Sequence, residues 1–384
     1  MKRRLTATVL ALTLGASATV GVVTPAFAAP LGASTATATS CTTPTFTQSA
    51  TATAGTNPRH VLTADLDGDG DADVVAANLD GNSVTVLLGN GDGTFATGTT
   101  YTVGTHPYQT VAADFDGDGS LDLATADFGG ATVSVLINNG DGTFEDATTL
   151  DVDEAPRALA TGDLDGDGTA DLVVAQQGTS SVRVLLGNGD GTFDDQGDTA
   201  TGTQPHGIVL GDFDGDGNPD VATASVGSAG VSVHLGDGAG GLGAAVGHAT
   251  TSRLYSLTSG DVNGDGHLDL AAVSNGSNAL DVLLGNGDGT FQTATTYTTG
   301  SLPVAVGSGD VNGDGLTDLL VSSLNGDSVA VYTGGSEELS LLTTLTVDGA
   351  YDASVADLDG DGTADLAVAA SGAGQVVTFT GTCS

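Results

Sequence analysis

The sequence is poor in positive charge and in several large side chains. Only 7 of its 384 residues are Lys or Arg, against 48 Asp and Glu, and it has no Trp, one Met and two Cys. The formal net charge is therefore −41. A protein that binds nucleic acid needs clustered Lys and Arg, so this composition excludes nucleic acid as a partner. An apolar content of 39% argues against a disordered chain.

Glutamate is also scarce, because nearly all of the acidic residues are Asp. The Glu residues are Glu145, Glu154, Glu337 and Glu338. Exposed helix faces usually contain Glu, which is a good helix former, whereas Asp is favoured in turns and in the oxygen cages that hold metal ions. No segment shows the period of an amphipathic helix. These features predict an all-β protein with carboxylate-rich loops.

The N-terminal residues have the pattern of an export signal. A cationic start at residues 2–4 precedes a mostly apolar stretch over residues 5–23, and the Ala-Phe-Ala at residues 26–28 matches a cleavage site. We interpret residues 1–28 as a secretory signal peptide; the alternative is a membrane anchor that is retained. No later apolar run is long enough to cross a bilayer, so we expect no membrane insertion of the mature protein.

The remaining chain divides into two parts. Residues 29–40 are rich in Ala, Ser and Thr and are predicted to form a disordered linker. Residues 41–384 are predicted to form the folded domain. An exported protein enters an oxidising, extracellular space in which calcium is abundant, and we expect this chain to be secreted.

An Asp-rich nonapeptide with the pattern D-x-[DN]-G-D-G-x-x-D occurs seven times. Successive copies are 49 residues apart in five steps and 47 in the last. The copies begin at Asp65, Asp114, Asp163, Asp212, Asp261, Asp310 and Asp357. A second string, [GN]NGDGTF, ends at Phe95, Phe144, Phe193 and Phe291. Its Asn-Gly-Asp-Gly core is a strong signal for a β-hairpin turn.

Short runs rich in β-forming residues lie between these strings. In the second unit they cover residues 110–113, 121–126, 132–137 and 144–152. Four strands in a unit of nearly fifty residues form the blade of a β-propeller, so seven units predict a seven-bladed β-propeller. The last unit ends after its third strand, and residues 46–53 have the phase of a fourth. We therefore expect this N-terminal strand to complete the last blade.

The two cysteines fall on one turn of that shared blade. Carried through the repeat, Cys41 and Cys383 occupy the phases of Asn90 and Gly91. We predict a disulfide that locks the ring, rather than two free thiols. The loop-entropy relation gives roughly 5–6 kcal/mol for so long a loop, as an upper value.

The nonapeptides carry oxygen atoms at the spacing of a calcium loop. Positions 1, 3, 5 and 9 offer side-chain oxygens and position 7 a backbone carbonyl, as at the start of an EF-hand loop. Carboxylates crowded in this way repel unless a cation lies between them, and flexible all-oxygen sites favour Ca²⁺ over Zn²⁺ or Mg²⁺. We predict up to seven structural Ca²⁺ ions, with weaker binding where Asn replaces Asp at position 3.

The predicted ligands are listed by position. They are, at position 1, Asp65, Asp114, Asp163, Asp212, Asp261, Asp310 and Asp357; at position 3, Asp67, Asp116, Asp165, Asp214, Asn263, Asn312 and Asp359; at position 5, Asp69, Asp118, Asp167, Asp216, Asp265, Asp314 and Asp361; at position 7, Asp71, Ser120, Thr169, Asn218, His267, Leu316 and Thr363; and at position 9, Asp73, Asp122, Asp171, Asp220, Asp269, Asp318 and Asp365.

In these repeats the chain resembles the FG-GAP/VCBS repeat family, whose seven-bladed propellers include the head of integrin α-subunits. The resemblance covers about residues 41–384. It implies a propeller whose calcium loops lie on the face away from the one that meets ligands or partner subunits. The literal FG and GAP strings of the integrin type are absent, so an integrin-like partner subunit is not implied.

The scarce residue types gather in the links that precede the nonapeptides. Six positions before each nonapeptide the column reads Arg59, Tyr108, Arg157, His206, Tyr255, Val304 and Tyr351. Two positions earlier it reads Asn57, His106, Ala155, Gln204, Arg253, Leu302 and Gly349. In a propeller these links surround the central channel on the face opposite the metal loops.

We interpret part of these columns as a candidate receptor for an anionic or hydroxyl-rich ligand. The alternative is that the large side chains plug the channel mouth and that Arg neutralises nearby Asp. The histidines outside the columns, His60, His234, His248 and His267, are expected on the surface or in loops. The candidate ligand-binding residues are Arg59, His106, Tyr108, Arg157, His206, Arg253, Tyr255 and Tyr351.

Three functions are compatible with this sequence. The first, which we favour, is a monomeric, non-catalytic binding or adhesion module for an extracellular polysaccharide or a cell-surface protein. No nucleophile motif, phosphate loop or zinc constellation is present to indicate an enzyme. The second is a polysaccharide lyase, in which Arg157 or Arg253 neutralises a uronate and His106, Tyr108, His206 or Tyr255 removes its α-proton. The third is an inert structural or surface-layer component.

Overall fold

The computed structural model describes residues 41, 43–336 and 338–383. The predicted signal peptide and linker lie outside these residues. The described chain forms 28 β-strands and no helix, so it offers no helix that could span a membrane. The strands make seven separate four-stranded sheets, and every pairing is antiparallel. The predicted all-β, seven-bladed propeller is thus confirmed.

Each blade is built from a first, innermost strand and a second strand at its centre. The first strands of blades one to seven are β2 (Pro58–Ala64), β6 (Pro107–Ala113), β10 (Pro156–Gly162), β14 (Pro205–Gly211), β18 (Ser256–Gly260), β22 (Pro303–Gly309) and β26 (Ala350–Ala356). The second strands are β3 (Asp73–Asn78), β7 (Asp122–Asp127), β11 (Asp171–Gln176), β15 (Asp220–Ser225), β19 (Asp269–Ser274), β23 (Asp318–Ser323) and β27 (Asp365–Ala370).

The third and fourth strands complete the blades towards the rim. The third strands are β4 (Ser83–Leu87), β8 (Thr132–Leu136), β12 (Ser181–Gly187), β16 (Ala229–His234), β20 (Ala279–Leu283), β24 (Ser328–Thr333) and β28 (Gln375–Thr382). The fourth strands are β5 (Thr99–Thr102), β9 (Thr148–Asp151), β13 (Phe193–Ala200), β17 (Val246–Arg253), β21 (Thr295–Thr298), β25 (Ser340–Thr346) and, for blade seven, β1 (Thr45–Thr53).

The seven first strands form a closed ring, because each contacts the first strand of the next blade and β2 contacts β26. Every second strand is buried at all six positions, since other strands flank it and neighbouring blades cover both its faces. The inner positions of these strands are mostly apolar, as in Val-Val-Ala-Ala of β3, where a polar residue stands at each end. The seven apolar clusters each join two adjacent blades, so the core lies between blades.

The ring closes as the sequence predicts. Strand β1 pairs with β28 from Thr45 opposite Thr382 to Thr53 opposite Gln375. Cys41 and Cys383 form a disulfide with their Cα atoms 5.6 Å apart. Both predictions, the shared blade and the disulfide, are confirmed.

The order of strands within a blade decides which face each connection occupies. Loops between first and second strands share one face with the third-to-fourth turns; we call it the loop face. Turns between second and third strands share the other face with the links from one blade to the next; we call it the channel-mouth face. The nonapeptides lie on the loop face, and the two columns of scarce residues lie on the channel-mouth face.

Candidate functional site

The nonapeptides fold into tight loops organised by the carboxylate at position 1. In blade one, Asp65 Oδ1 accepts a hydrogen bond from Gly68 N at 2.8 Å and its Oδ2 accepts one from Gly70 N at 3.1 Å. The same two bonds occur in all seven loops. Gly70 has a φ of +92°, and an added Cβ would meet nothing within 4 Å, so Gly is needed for its backbone angle rather than for space.

The carboxylate at position 9 is buried and ties the loop to the rest of its blade. Asp73 is 1% exposed. Its Oδ2 accepts a hydrogen bond from Leu66 N at 2.7 Å, and its Oδ1 accepts one from Gly89 N, next to the third-to-fourth turn, at 2.8 Å. The equivalent pair of bonds occurs in the other six blades.

These buried carboxylates carry an electrostatic cost. Burial raises the pKa of Asp73 to about 6, although its two N–H donors act to lower it, and the nearby charges of Asp65 and Asp67 add to the rise. The pKa is also raised to about 6 in five other blades and to about 7 for Asp318. A cation beside each carboxylate would remove this cost.

In five of the loops, the carboxylate oxygens lie close enough together to hold a metal ion. In blades one to four, carboxylate oxygens from positions 1, 3 and 9 lie within 4.8 Å of one another, as do those from positions 1, 3 and 5 in blade seven. Ligands at about 2.3–2.6 Å from one ion stand at most about 4.6–5.2 Å apart. The donor set is all oxygen and largely anionic. The described clusters therefore have the chemistry and the spacing for a divalent cation.

The loops of blades five and six differ at position 3. Asn263 Nδ2 donates to Asp265 Oδ2 at 3.1 Å, and Asn312 Nδ2 donates to Asp314 Oδ2 at 3.0 Å. An amide in place of a carboxylate keeps one ligand oxygen and removes a charge. Weaker binding at these two loops remains a prediction.

Each loop also contacts the next blade. In blades two to five and in blade seven, the carbonyl of the residue at position 2 accepts a backbone hydrogen bond from the third-to-fourth turn of the following blade, as from Gly191 N to Phe115 O at 2.9 Å. Equivalent bonds join Gly240 to Leu164, Gly289 to Phe213, Gly335 to Val262 and Gly93 to Leu358. A cation that orders a loop would therefore also stabilise a junction between blades.

On the channel-mouth face, the side chains of the nearer column converge. The hydroxyl oxygen of Tyr255 lies 3.1 Å from that of Tyr108 and 3.2 Å from that of Tyr351, and the hydroxyls of Tyr108 and Tyr351 are also hydrogen-bonded. Arg157 Nη2 donates to Tyr255 Oη at 2.9 Å. The three tyrosines come from blades two, five and seven, so their hydroxyls meet across the channel. We call Arg59, Tyr108, Arg157, His206, Tyr255 and Tyr351 the channel-mouth cluster.

The cations of this cluster stack on its aromatic rings. The guanidinium carbon of Arg157 lies 3.1 Å from the ring centre of Tyr108, and that of Arg59 lies 4.2 Å from the ring centre of Tyr351. The rings of His206 and Tyr255 meet edge to face at 4.7 Å. Such contacts hold the guanidinium planes in fixed positions.

Burial and the Arg157 charge set the protonation states here. Burial and Arg157 together lower the pKa of His206 to about 3, so its imidazole is neutral near pH 7. Burial raises the pKa of Tyr108 to about 12 and that of Tyr351 well above its usual range. Burial acts in the same direction on Tyr255, but the Arg157 charge and its hydrogen bonds bring its pKa below the ordinary value.

Two of the eight candidate ligand-binding residues lie apart from the cluster. The side chains of His106 and Arg253 are exposed and do not line the channel cavity. His106 belongs to the second column, whose residues other than Arg253 take a left-handed backbone conformation just before the next strand, with φ of +55° for His106 and +58° for Ala155. The other six candidates line one cavity of about 100 Å³ in the channel.

Sequence reasoning missed a polar layer beside the cluster. His60 Nε2 lies 3.6 Å from Asp352 Oδ2, which also accepts a hydrogen bond from Val61 N at 3.0 Å. Gln109 and Ser256 hold the same position in other blades and also accept a backbone N–H of the next blade. The signal lay one position after the first column, where the sequence places His60, Gln109, Ser256 and Asp352 near the start of their innermost strands.

Two expectations about histidine were wrong. His60 lies in the channel wall, and His234 is fully buried in β16. The ring nitrogens of His234 are hydrogen-bonded, Nδ1 with Gly243 O at 2.9 Å and Nε2 with Thr201 Oγ1 at 3.0 Å, so the imidazole satisfies polar groups inside blade four. His267 is an exposed loop residue as expected.

The fold and the acidic loops define the class of protein, a seven-bladed propeller with a repeated carboxylate loop between the first and second strands. The FG-GAP-like repeat matches the sequence six times, over residues 65–125, 114–174, 163–223, 212–272, 261–321 and 310–368. The chain therefore belongs to the FG-GAP-like repeat family. No curated protein sequence matches it significantly.

Solved structures with similar folds have diverse partners. BBS1N in complex with ARL6DN superposes with a TM-score of 0.63 and 14% identity, over 87% of this chain and 96% of that chain. An Agrocybe aegerita lectin that recognises non-reducing terminal N-acetylglucosamine gives 0.55 and 22%, over 82% and 86%. Virginiamycin B lyase from Staphylococcus aureus gives 0.60 and 10%, over 88% and 99%. At these identities the likeness shows the fold alone.

Proposed function

We propose that this protein is a secreted, calcium-stabilised propeller that binds extracellular glycans without catalysing their cleavage. The observation that carries the proposal is the channel-mouth cluster, which places two guanidinium groups, three phenol hydroxyls and an imidazole around one cavity. Arg and aromatic side chains are the usual partners of hydroxyl-rich and acidic sugars. A cell-surface protein partner is the remaining possibility within the same proposal.

Calcium has a structural part in this proposal. Positions 1, 3, 5 and 9 of each loop would hold the ion through carboxylate or amide oxygens, and position 7 through its backbone carbonyl. The ion would supply charge neutralisation for carboxylates such as buried Asp73. Position 7 holds six different residue types in seven loops, Asp71 and Leu316 among them, which agrees with a ligand taken from the backbone.

Two features of the chain support an extracellular setting, its disulfide and its N-terminal sequence. A disulfide between Cys41 and Cys383 forms and persists in oxidising compartments and is rare in the cytosol. Together with the cationic and apolar start of the sequence, it supports a secreted protein.

The proposal is tested by incubating the calcium-loaded protein with a panel of neutral and acidic polysaccharides and separating the mixtures by size exclusion. Co-migration with an intact polymer is the expected result. It should weaken when Arg157 is replaced by Gln and persist when Arg183 is replaced by Gln. Arg183 is the matched control because it lies outside the cluster, paired with Asp153 and Asp198 at 2.7 and 2.8 Å. No co-migration with any polymer would leave a protein partner or a structural role.

A second candidate, a polysaccharide lyase, is favoured by one observation. Tyr255 has a lowered pKa and accepts a hydrogen bond from Arg157, which pairs a possible base with a cation that could neutralise a uronate. The same experiment distinguishes this candidate, because a lyase would release polymer fragments. Cleavage that survives combined replacement of Arg157, His206 and Tyr255 would exclude these residues as its catalytic groups.

A further inference from the structure

The two arginines of the channel-mouth cluster have no carboxylate to balance them. Within the described part of the chain, the arginine ion pairs all belong to Arg183, which contacts Asp153, Asp195 and Asp198. Arg59 and Arg157 instead contact aromatic rings and a phenol hydroxyl. Arg157 is only 6% exposed. In a protein with a net charge of −41, two uncompensated guanidinium groups in one channel are an unusual arrangement.

The same cavity contains polar atoms that have no partner. Nε of Arg59, Nε of Arg157 and Nδ1 of His206 are all buried and make no hydrogen bond. All three residues line the cavity of about 100 Å³. Because buried polar atoms without partners are costly, two guanidinium donors and an imidazole nitrogen around one space indicate a ligand that accepts hydrogen bonds.

Among the described residues, the one carboxylate that lines this cavity belongs to Asp352 and does not fill that role. Asp352 Oδ2 accepts a hydrogen bond from Val61 N at 3.0 Å and lies 3.6 Å from His60 Nε2. No ion pair joins Asp352 to Arg59 or Arg157 among the described residues. The acceptor that the arginines need must therefore come from outside the chain.

The volume of the cavity limits what can enter. A space of about 100 Å³ is well below the roughly 300–1,000 Å³ of ordinary small-molecule pockets. That is enough for a carboxylate group and too little for a pyranose ring. A planar carboxylate also matches the fork of donors on a guanidinium group.

We propose that the channel mouth binds a carboxylate between the guanidinium groups of Arg59 and Arg157, with His206 as a further donor. The carboxylate comes either from a small free acid or from an acidic sugar residue whose ring stays outside the channel. The second source deepens the proposed function and rests on it, whereas the first stands even if the protein binds no polysaccharide.

The test uses the tyrosines of the cluster as reporters. The chain has no Trp and six Tyr, three of which are Tyr108, Tyr255 and Tyr351, so tyrosine absorbance and emission report on the cavity directly. Calcium-loaded protein is titrated with acetate, with glucuronate and with uncharged glucose, at constant pH and ionic strength. We expect saturable changes with acetate and none with glucose. Arg157→Gln and Arg59→Gln should each weaken acetate binding at least tenfold, and Arg183→Gln should leave it unchanged.

The outcomes separate the two sources and the proposed function. Saturation by both acetate and glucuronate, each competing with the other, assigns the site to an acidic sugar. Saturation by acetate alone assigns it to a small free acid, whatever the polysaccharide panel shows. The proposal is overturned if acetate gives no saturable change in the wild-type protein, or if Arg183→Gln weakens binding as much as Arg59→Gln. Arg59 is the less buried arginine, so its variant serves if Arg157→Gln does not fold.

Discussion

Replacing the buried aspartate of one loop by its amide should destabilise the fold more with calcium than without it. Asp171 in blade three accepts N–H groups from Leu164 at 2.7 Å and from Gly187 at 2.8 Å. Asparagine has the same shape but only one acceptor oxygen, so Asp171→Asn turns an NH₂ group towards one of these two donors. A buried N–H donor left without an acceptor lowers the unfolding free energy by about 1–3 kcal/mol.

Without metal, a second effect offsets that loss. Burial raises the pKa of Asp171 to about 6 from a usual 3.8 in spite of both hydrogen bonds. A shift of about 2 units means that above pH 6 the metal-free fold favours the neutral side chain by about 3 kcal/mol. Asparagine is neutral, so its gain and its loss largely cancel. We expect Asp171→Asn to change the metal-free unfolding free energy by no more than about 2 kcal/mol.

With calcium, the variant loses a further contribution, because it binds the ion more weakly than the wild type does. The variant then loses one ligand of the site, and the stabilisation from a site held at 100 times its dissociation constant is about 2.7 kcal/mol. The wild type alone gains this amount from calcium, so the variant's loss of unfolding free energy should be about 2.7 kcal/mol larger in calcium than in chelator. The measurement is chemical unfolding at pH 8, in excess calcium and again in chelator.

Asp190→Asn is the matched control. It removes the same charge in the same blade, but Asp190 lies exposed in the third-to-fourth turn, where its carboxylate bonds only to Thr192. We expect this variant to unfold like the wild type in both conditions. Equal losses for Asp171→Asn with and without calcium, or a calcium-dependent loss for Asp190→Asn, would refute the assignment of the loops as metal sites.

Two further predictions concern the whole ring. The position-9 aspartates have raised pKa values, so their contribution to the stability of the metal-free fold is full below about pH 4 and is lost as the pH rises through about 6. The melting temperature of the metal-free protein should therefore fall between about pH 5 and pH 8, because these seven aspartates outnumber the four histidines with lowered pKa. A melting temperature that rises over this range would contradict the prediction. Combined Cys41→Ser and Cys383→Ser replacement removes a crosslink between residues 342 positions apart. It should lower the unfolding free energy by up to about 5–6 kcal/mol. Reduction of the wild-type disulfide should reproduce this loss, whereas unchanged unfolding would show that the pairing of β1 closes the ring without the disulfide.

The architecture could be predicted from the sequence because its signals are local and repeated. Each Gly-Asp-Gly turn and each nonapeptide marks a strand end, and the constant spacing converts seven copies into seven blades. The phase of residues 46–53 then places the N-terminal strand beside Gln375–Thr382 without any knowledge of tertiary contacts. The disulfide follows from the same phase. Blade six lacks the [GN]NGDGTF string, but the spacing of its nonapeptide at Asp310 still places it in the ring.

The contacts across the channel could not be predicted in this way. The two columns of scarce residues give the position of each side chain along the chain but not its direction, so the candidate site combined exposed Arg253 with buried Arg157. The meeting of three tyrosine hydroxyls depends on the channel radius, which the sequence pattern does not contain. The His60–Asp352 pair was missed because the two residues belong to the first and last blades, which become neighbours only when the ring closes.

The melting temperature with and without calcium tests the central claim most directly. The purified protein is melted in excess Ca²⁺, in chelator, and in chelator followed by Ca²⁺ or by Mg²⁺ at equal concentration. If the seven loops hold calcium and tie neighbouring blades together, chelation should lower the melting temperature sharply, and Ca²⁺ but not Mg²⁺ should restore it. A melting temperature that chelation leaves unchanged would contradict the account of the loops.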